Sequence, residues 1–130
     1  MITKLLLAVK KWALPIVIVY TLALTIASLV QLGDIPSLGS SFDDKIYHFI
    51  AYAVFTLVVY NYCRLLHFKS PIIITTVSVI IYGIIIELLQ NTITVYRTLD
   101  VYDVLANALG VCFAVILLKY GDKRLVKKKQ

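Results

Sequence analysis

Three short segments of the chain carry polar side chains at helical spacing, each within an otherwise apolar run. Their members lie three or four residues apart, and such residues stack on one face of a helix. The three sets are Asp44, His48 and Tyr52; Gly83, Glu87 and Gln90; and Asp103, Asn107 and Gly110. Carboxyl, imidazole and amide groups on facing stripes could transfer protons, hold a polar ligand or hydrogen-bond to one another.

The residue types point first to acid–base chemistry on an anionic substrate. Imidazole and carboxyl groups are common general acids and bases, so His48, Glu87 and Asp103 are the candidate catalytic residues. Arg97 presents a planar fork of donors suited to phosphate oxygens, and Lys45 adds a point charge. The residues predicted to bind substrate are Asp44, Lys45, Tyr52, Gln90, Arg97 and Asn107.

Composition indicates which elements position these residues. The 130-residue chain is 61% hydrophobic and 15% charged, with a mean hydropathy of +0.91, whereas a soluble domain carries about 25% charged residues. A bilayer core needs a helix of about 20 apolar residues. The sequence therefore predicts one all-α domain over residues 1–130, an integral membrane four-helix bundle with spans at about 13–32, 46–65, 71–92 and 101–119.

The basic residues predict the orientation of the spans. Eleven of the 13 Lys and Arg residues precede span 1, separate spans 2 and 3, or follow span 4, and the exceptions are Lys45 and Arg97. The positive-inside rule therefore places both termini in the cytoplasm. The basic C-terminal tail is predicted to contact anionic lipids. No glycine-rich phosphate loop or zinc-knuckle spacing in the sequence indicates nucleic-acid binding.

This orientation brings the three polar stripes to one depth in the outer half of the membrane. Spans 2 and 4 run inward with His48 and Asp103 in their first turns, and span 3 runs outward past Glu87. An ionisable group within a span is costly, so such stripes mark a functional site or a buried structural network. In the structural alternative these groups would pair only with one another, Arg97 with Asp100 or Asp103 among them.

Other kinds of site fit the residues less well. Asp44 and His48 could ligate one metal ion together with a nearby carboxylate. Only one histidine lies at this level, however, and neither a metal nor a cofactor is predicted. A transporter would need polar groups in the inner half of the membrane as well, where these spans have almost none.

Three motifs follow one another along the middle of the chain. They are DKIYHFIAY at residues 44–52, GIIIELLQ at 83–90, and a segment with Arg97, Asp103, Asn107 and Gly110. Together they resemble the VanZ-like family of small bacterial membrane proteins, in which D-K-x-x-H-F-x-x-Y, G-x-x-x-E-x-x-Q and R-x5-D-x3-N-x2-G recur in this order. The resemblance covers residues 44–110 and extends to the number of spans.

The resemblance implies a multi-pass protein of the bacterial cytoplasmic membrane, in a family named for resistance to the glycopeptide teicoplanin. It implies a ligand of the cell envelope at the outer polar site, either a membrane lipid or a lipid-linked cell-wall precursor. Three roles stay open for the site, which could turn over its ligand, bind it without turnover, or only hold the bundle together. The oligomeric state stays open as well.

Overall fold

Four α-helices make up the described part of the chain. The computed structural model describes residues 1–30, 37–39, 42–95 and 99–129. The helices are α1 (Ile2–Leu29), α2 (Asp43–Leu65), α3 (Pro71–Ile93) and α4 (Val101–Lys129). No strand occurs within these described ranges, and the all-α prediction is confirmed.

Each helix is long and apolar enough to cross a membrane, as predicted. Helix α3 begins with Pro71, whose missing N–H group is tolerated in the first helical turn. Large apolar side chains such as Ile16, Ile81 and Leu105 are exposed on the outer faces of the helices, where lipid is an equally apolar neighbour. Helices α1 and α4 exceed the predicted spans most, since α1 starts at Ile2 and α4 continues to Lys129.

Helix α2 packs against all three other helices, most extensively against α4. It approaches α4 closely where Gly110 lies against the backbone of Phe49. A Cβ atom at position 110 would collide with the Phe49 carbonyl oxygen and lie 3.1 Å from the Ala53 amide nitrogen. Small residues allow such close packing of membrane helices. This contact places the polar stripe of α4 beside that of α2.

An aromatic cluster holds α1 against α2 and α3. The ring of Phe55 stacks on Tyr20, with centroids 5.5 Å apart, and meets the ring of Tyr82 at 5.1 Å. The Tyr20 hydroxyl donates to the carbonyl oxygen of Ala51 at 2.8 Å. The hydroxyl groups of Thr25 and Tyr82 are hydrogen-bonded at 2.7 Å. Helix α1 is packed through this cluster, and the polar site is formed by side chains of α2, α3 and α4.

Candidate functional site

The three polar stripes converge, and their side chains form a chain of hydrogen bonds across α2, α4 and α3. Nδ1 of His48 lies 2.9 Å from Oδ1 of Asn107. The Nδ2 group of Asn107 donates in turn to Oε1 of Glu87 at 3.4 Å. Asn107 and Glu87 are both buried. The hydrogen bonds therefore run from a partly buried imidazole on α2 to a carboxyl group enclosed between helices.

This arrangement determines the tautomer of His48. Because the amide nitrogen of Asn107 donates to Glu87, its oxygen faces the imidazole and can only accept a hydrogen bond. Nδ1 of His48 therefore carries the hydrogen, and the lone pair of the neutral ring lies on Nε2. Nε2 is 3.8 Å from Oδ1 of Asp44 and 3.8 Å from Oδ2 of Asp103, which is longer than a hydrogen bond. Nε2 thus faces the more exposed end of the site.

Lys45 lies among carboxylates at the N-terminal ends of α2 and α4. Its Nζ is 2.7 Å from Oδ2 of Asp100 and hydrogen-bonds to Oδ1 of Asp103. The same Nζ is 3.5 Å from Oδ2 of Asp44. Three carboxylates thus surround one ammonium group, so this cluster of described residues carries a net negative charge.

Asp100 joins this group to the start of α4. Its Oδ1 accepts the amide hydrogen of Tyr102 at 2.8 Å, while its Oδ2 accepts from Lys45. The Lys45 hydrogen bond, followed by that of the Tyr102 amide, lowers the pKa of the Asp100 carboxyl because both stabilise its ionised form. The sequence suggested Arg97 as a partner of Asp100 or Asp103, and this pairing lies outside the described residues. Within them, both carboxylates have Lys45 as a partner. That pairing depends on how α2 and α4 are rotated, which spacing alone does not determine.

Exposure of the side chains falls from the N-terminal ends of α2 and α4 toward the interior of the bundle. The side chain of Asp44 is 41% exposed, whereas that of His48 is 11% exposed and Glu87 is enclosed. A ligand that approaches between the ends of α2 and α4 would meet Asp44 first and then Nε2 of His48. We call this partly exposed cluster of Asp44, Lys45, His48 and Asp103 the funnel.

Gln90 and Tyr52 lie away from this chain of hydrogen bonds. Gln90 donates from Nε2 to the carbonyl oxygen of Ser28 at 2.8 Å, which connects α3 to the end of α1. The buried ring of Tyr52 lies against Gly83, and its hydroxyl has no hydrogen-bond partner among the described residues. Arg97 falls outside the described residues, so its role as an anion ligand stays a prediction.

A metal ion has one candidate position in the described part of the chain. Asp44, His48 and Asp103 offer ligand atoms that all lie within 4.8 Å of one another. Carboxylate and imidazole groups together suit a divalent cation. The Lys45 ammonium lies near both of these carboxylates, so a metal ion would compete with it. The three residues therefore fit a metal only where Lys45 moves away.

Comparison with known proteins identifies the family of the chain. The sequence model of the VanZ/LLP1 family matches residues 21–122, a range that includes the funnel and the hydrogen-bonded chain behind it. The chain belongs to the VanZ/LLP1 family. The VanZ-like resemblance carried by the three sequence motifs is thereby confirmed.

A relative of this VanZ/LLP1 chain occurs in the fission yeast Schizosaccharomyces pombe, where it is named uncharacterized protein C11E3.10. The two are 35% identical over 121 residues, which cover 92% of this chain and 71% of the relative. Proteins similar to this chain are therefore found outside bacteria. No solved structure matches the VanZ/LLP1 chain.

Proposed function

We propose that this chain acts on a phosphate-bearing amphiphile of the membrane, with His48 as the general acid and base. The observation that carries the proposal is the connection from Glu87 through Asn107 to His48, which leaves Nε2 directed at the funnel. A base that activates a nucleophile needs such an orienting partner. A network that only joined helices would not need an imidazole nitrogen held 3.8 Å from the nearest carboxylates at a partly exposed end.

The neighbouring residues have supporting roles in this proposal. Asn107 orients the imidazole and Glu87 holds Asn107, while Asp103 stabilises the imidazolium that forms when Nε2 takes up a proton. Lys45 is engaged by carboxylates and contributes little positive charge to a ligand. We therefore assign the binding of the phosphate mainly to Arg97, whose guanidinium group can hold two phosphate oxygens at once.

A phospholipid is the substrate class that we favour over a lipid-linked cell-wall precursor. Both present a phosphate next to a long apolar chain, and both match a funnel inside a membrane protein. The relative in a yeast favours a substrate that is common to the membranes of yeast and bacteria, as phospholipids are. A role in teicoplanin-type resistance would then follow from altered lipids of the cell envelope.

Two alternatives involve no turnover. The site could bind the head group of a lipid or a glycopeptide, or the polar residues could only hold the bundle together. The contacts of Lys45 with its carboxylates favour the structural alternative, since these groups satisfy one another. They do not account for His48, whose Nε2 lies 3.8 Å from both Asp44 and Asp103, beyond the length of a normal hydrogen bond.

The location is part of the proposal. We place the chain in the cytoplasmic membrane with both termini in the cytoplasm, because the basic residues are concentrated on that side. Helix α4 continues to Lys129 and carries Lys119, Lys123 and Lys127 one turn apart, a spacing suited to anionic lipid head groups. The funnel then opens at the outer face.

Reconstitution of the full chain tests the proposal. Vesicles would contain either a labelled phospholipid or a labelled polyprenyl phosphate, and both lipid retention and product formation would be followed. Asp103→Asn keeps the shape of the side chain and removes its charge, so we expect product formation to fall by about 100-fold. Asp122→Asn is the matched control, because Asp122 lies near the opposite end of α4. Retention without product would favour a binding protein, and neither retention nor product would favour the structural alternative.

A further inference from the structure

A groove opens between α3 and α4 toward the lipid. Residues that line this lateral groove are Tyr52 of α2, Ile80, Gly83 and Ile84 of α3, and Asn107 and Ala108 of α4. It encloses a volume of about 50 Å3 and is open on one side. Ligand pockets span roughly 300–1,000 Å3, so the groove encloses only a short part of a ligand, and the rest of a hydrocarbon chain would lie along its open side.

The hydroxyl group of Tyr52 indicates what the groove binds. Tyr52 is 2% exposed, and its hydroxyl oxygen lacks a hydrogen-bond partner among the residues that the structure describes. The ring lies beside Gly83, where a Cβ atom would come within 2.9 Å of a ring carbon. An unpaired hydroxyl is unfavourable in a membrane interior, since no water is present to bond with it. A ligand that brought an acceptor atom into the groove would satisfy this donor.

Asn107 links the lateral groove to the funnel. Its side chain lines the groove and also bonds to His48 and Glu87. His48 and Tyr52 are one helical turn apart on α2, about 6 Å along the helix axis. A glycerol backbone spans such a distance between a head group in the funnel and an ester carbonyl beside Tyr52.

We infer that the lateral groove binds an ester-linked acyl chain of a membrane phospholipid, with the Tyr52 hydroxyl donating to the ester carbonyl oxygen. The inference rests on the proposed function, because the head group of the same lipid would occupy the funnel. Ile80 and Ile84 contact the chain where it leaves the groove for the bilayer. An ether-linked lipid has no carbonyl oxygen at this point, so the groove prefers esters.

Photo-crosslinking tests the binding of the chain. The full-length protein is placed in vesicles that contain a diacyl phospholipid with a diazirine in one acyl chain, and crosslinked peptides are located by mass spectrometry. We expect crosslinks on the segments of α3 and α4 that line the groove, and loss of most of them in Ile84→Trp, which fills it. Ile85→Trp is the matched control, since Ile84 and Ile85 are 45% and 49% exposed and only Ile84 lines the groove. Crosslinking that responds equally to both substitutions would overturn the inference.

Competition between lipids that differ only in linkage tests the hydroxyl. A diacyl phospholipid should displace the photoactivatable lipid from the unmodified protein about fivefold better than its diether analogue, the difference that one hydrogen bond makes. Tyr52→Phe keeps the ring and should abolish this preference. The same preference in both proteins would show that Tyr52 does not bind the ester. Melting temperatures of all variants verify that each one folds.

Failure of this inference can be distinguished from failure of the proposed function. Retention of the lipid head group by the funnel is measured in a separate experiment, on the unmodified protein and on Asp103→Asn. If the head group is retained but Ile84→Trp does not change the crosslinking, the inference about the groove is contradicted and the proposed function is not. Absence of retention in the unmodified protein would contradict the proposed function.

Discussion

Nδ1 of His48 lies 2.9 Å from Oδ1 of Asn107, a contact that joins α2 to α4. Because the same amide donates to Glu87, Asn107 sets both the orientation and the tautomer of the imidazole. The orientation of Asn107 therefore determines which nitrogen of His48 faces a ligand in the funnel.

The tautomer of His48 can be measured directly. We expect nitrogen-15 NMR of histidine-labelled protein, at a pH where the imidazole is neutral, to show His48 protonated at Nδ1. Asn107→Ala removes the acceptor, so the ring should become a mixture of both tautomers. The chain has two histidines, and a His67→Gln variant assigns the signals. A ring protonated mainly at Nε2 in the unmodified protein would contradict the hydrogen-bonding scheme.

Lys45→Met tests the charge pairing at the outer end of the site. The substitution leaves the largely buried carboxylate of Asp103 without its ammonium partner. We expect the free energy of unfolding to fall by about 1–3 kcal/mol, the effect of an unpaired buried acceptor. Asp103→Asn in the same background should recover part of this loss, because the buried charge is then gone. Unfolding in mixed detergent measures each variant, and strictly additive effects would argue against direct pairing.

Gly110→Ala tests the close contact of α2 and α4. The added Cβ atom collides with the carbonyl oxygen of Phe49, a backbone atom that cannot rotate away. We expect the unfolding free energy to fall by about 1–3 kcal/mol. Gly121→Ala is the matched control on the same helix, since a Cβ atom there meets nothing within 4 Å. That control should be stabilising by up to about 1 kcal/mol, and an equal effect at both positions would contradict the packing.

Two signals in the sequence, the long apolar runs and the helical spacing of polar residues, were enough to predict the helices and the meeting of the polar stripes. Long apolar runs predict the spans, and spacings of three and four residues place Asp44 with His48 and Asp103 with Asn107 on one face each.

The partners of individual side chains were not predictable in this way. Gln90 lies three residues from Glu87, yet its amide reaches Ser28 on α1 while Glu87 faces Asn107 on α4. Spacing indicates which residues share a face but not which neighbouring helix the edge of that face meets. The reach of Lys45 to α4 depends on the same helix rotation.

Accessibility of single cysteines tests the orientation of the bundle. In a background without the two native cysteines, maleimide labelling would be applied at one position per segment: Lys4, Gly39, Ser70, Leu99 and Lys128. We expect positions 39 and 99 to be labelled from the outer side and the others from the cytoplasmic side, because the basic residues are concentrated there. Labelling of position 99 from the cytoplasmic side alone would reverse the orientation and place the funnel on the other face.

The catalytic role of His48 is tested most directly by comparing the unmodified protein with His48→Gln. One labelled phospholipid serves to measure both lipid retention and product formation. A general acid or base contributes roughly 100- to 10,000-fold in rate and little to ground-state affinity. We therefore predict that product formation falls within this range while retention stays nearly unchanged, and that His67→Gln alters neither. Retention and product lost in equal proportion in His48→Gln, or retention without product in the unmodified protein, would contradict a catalytic role for His48.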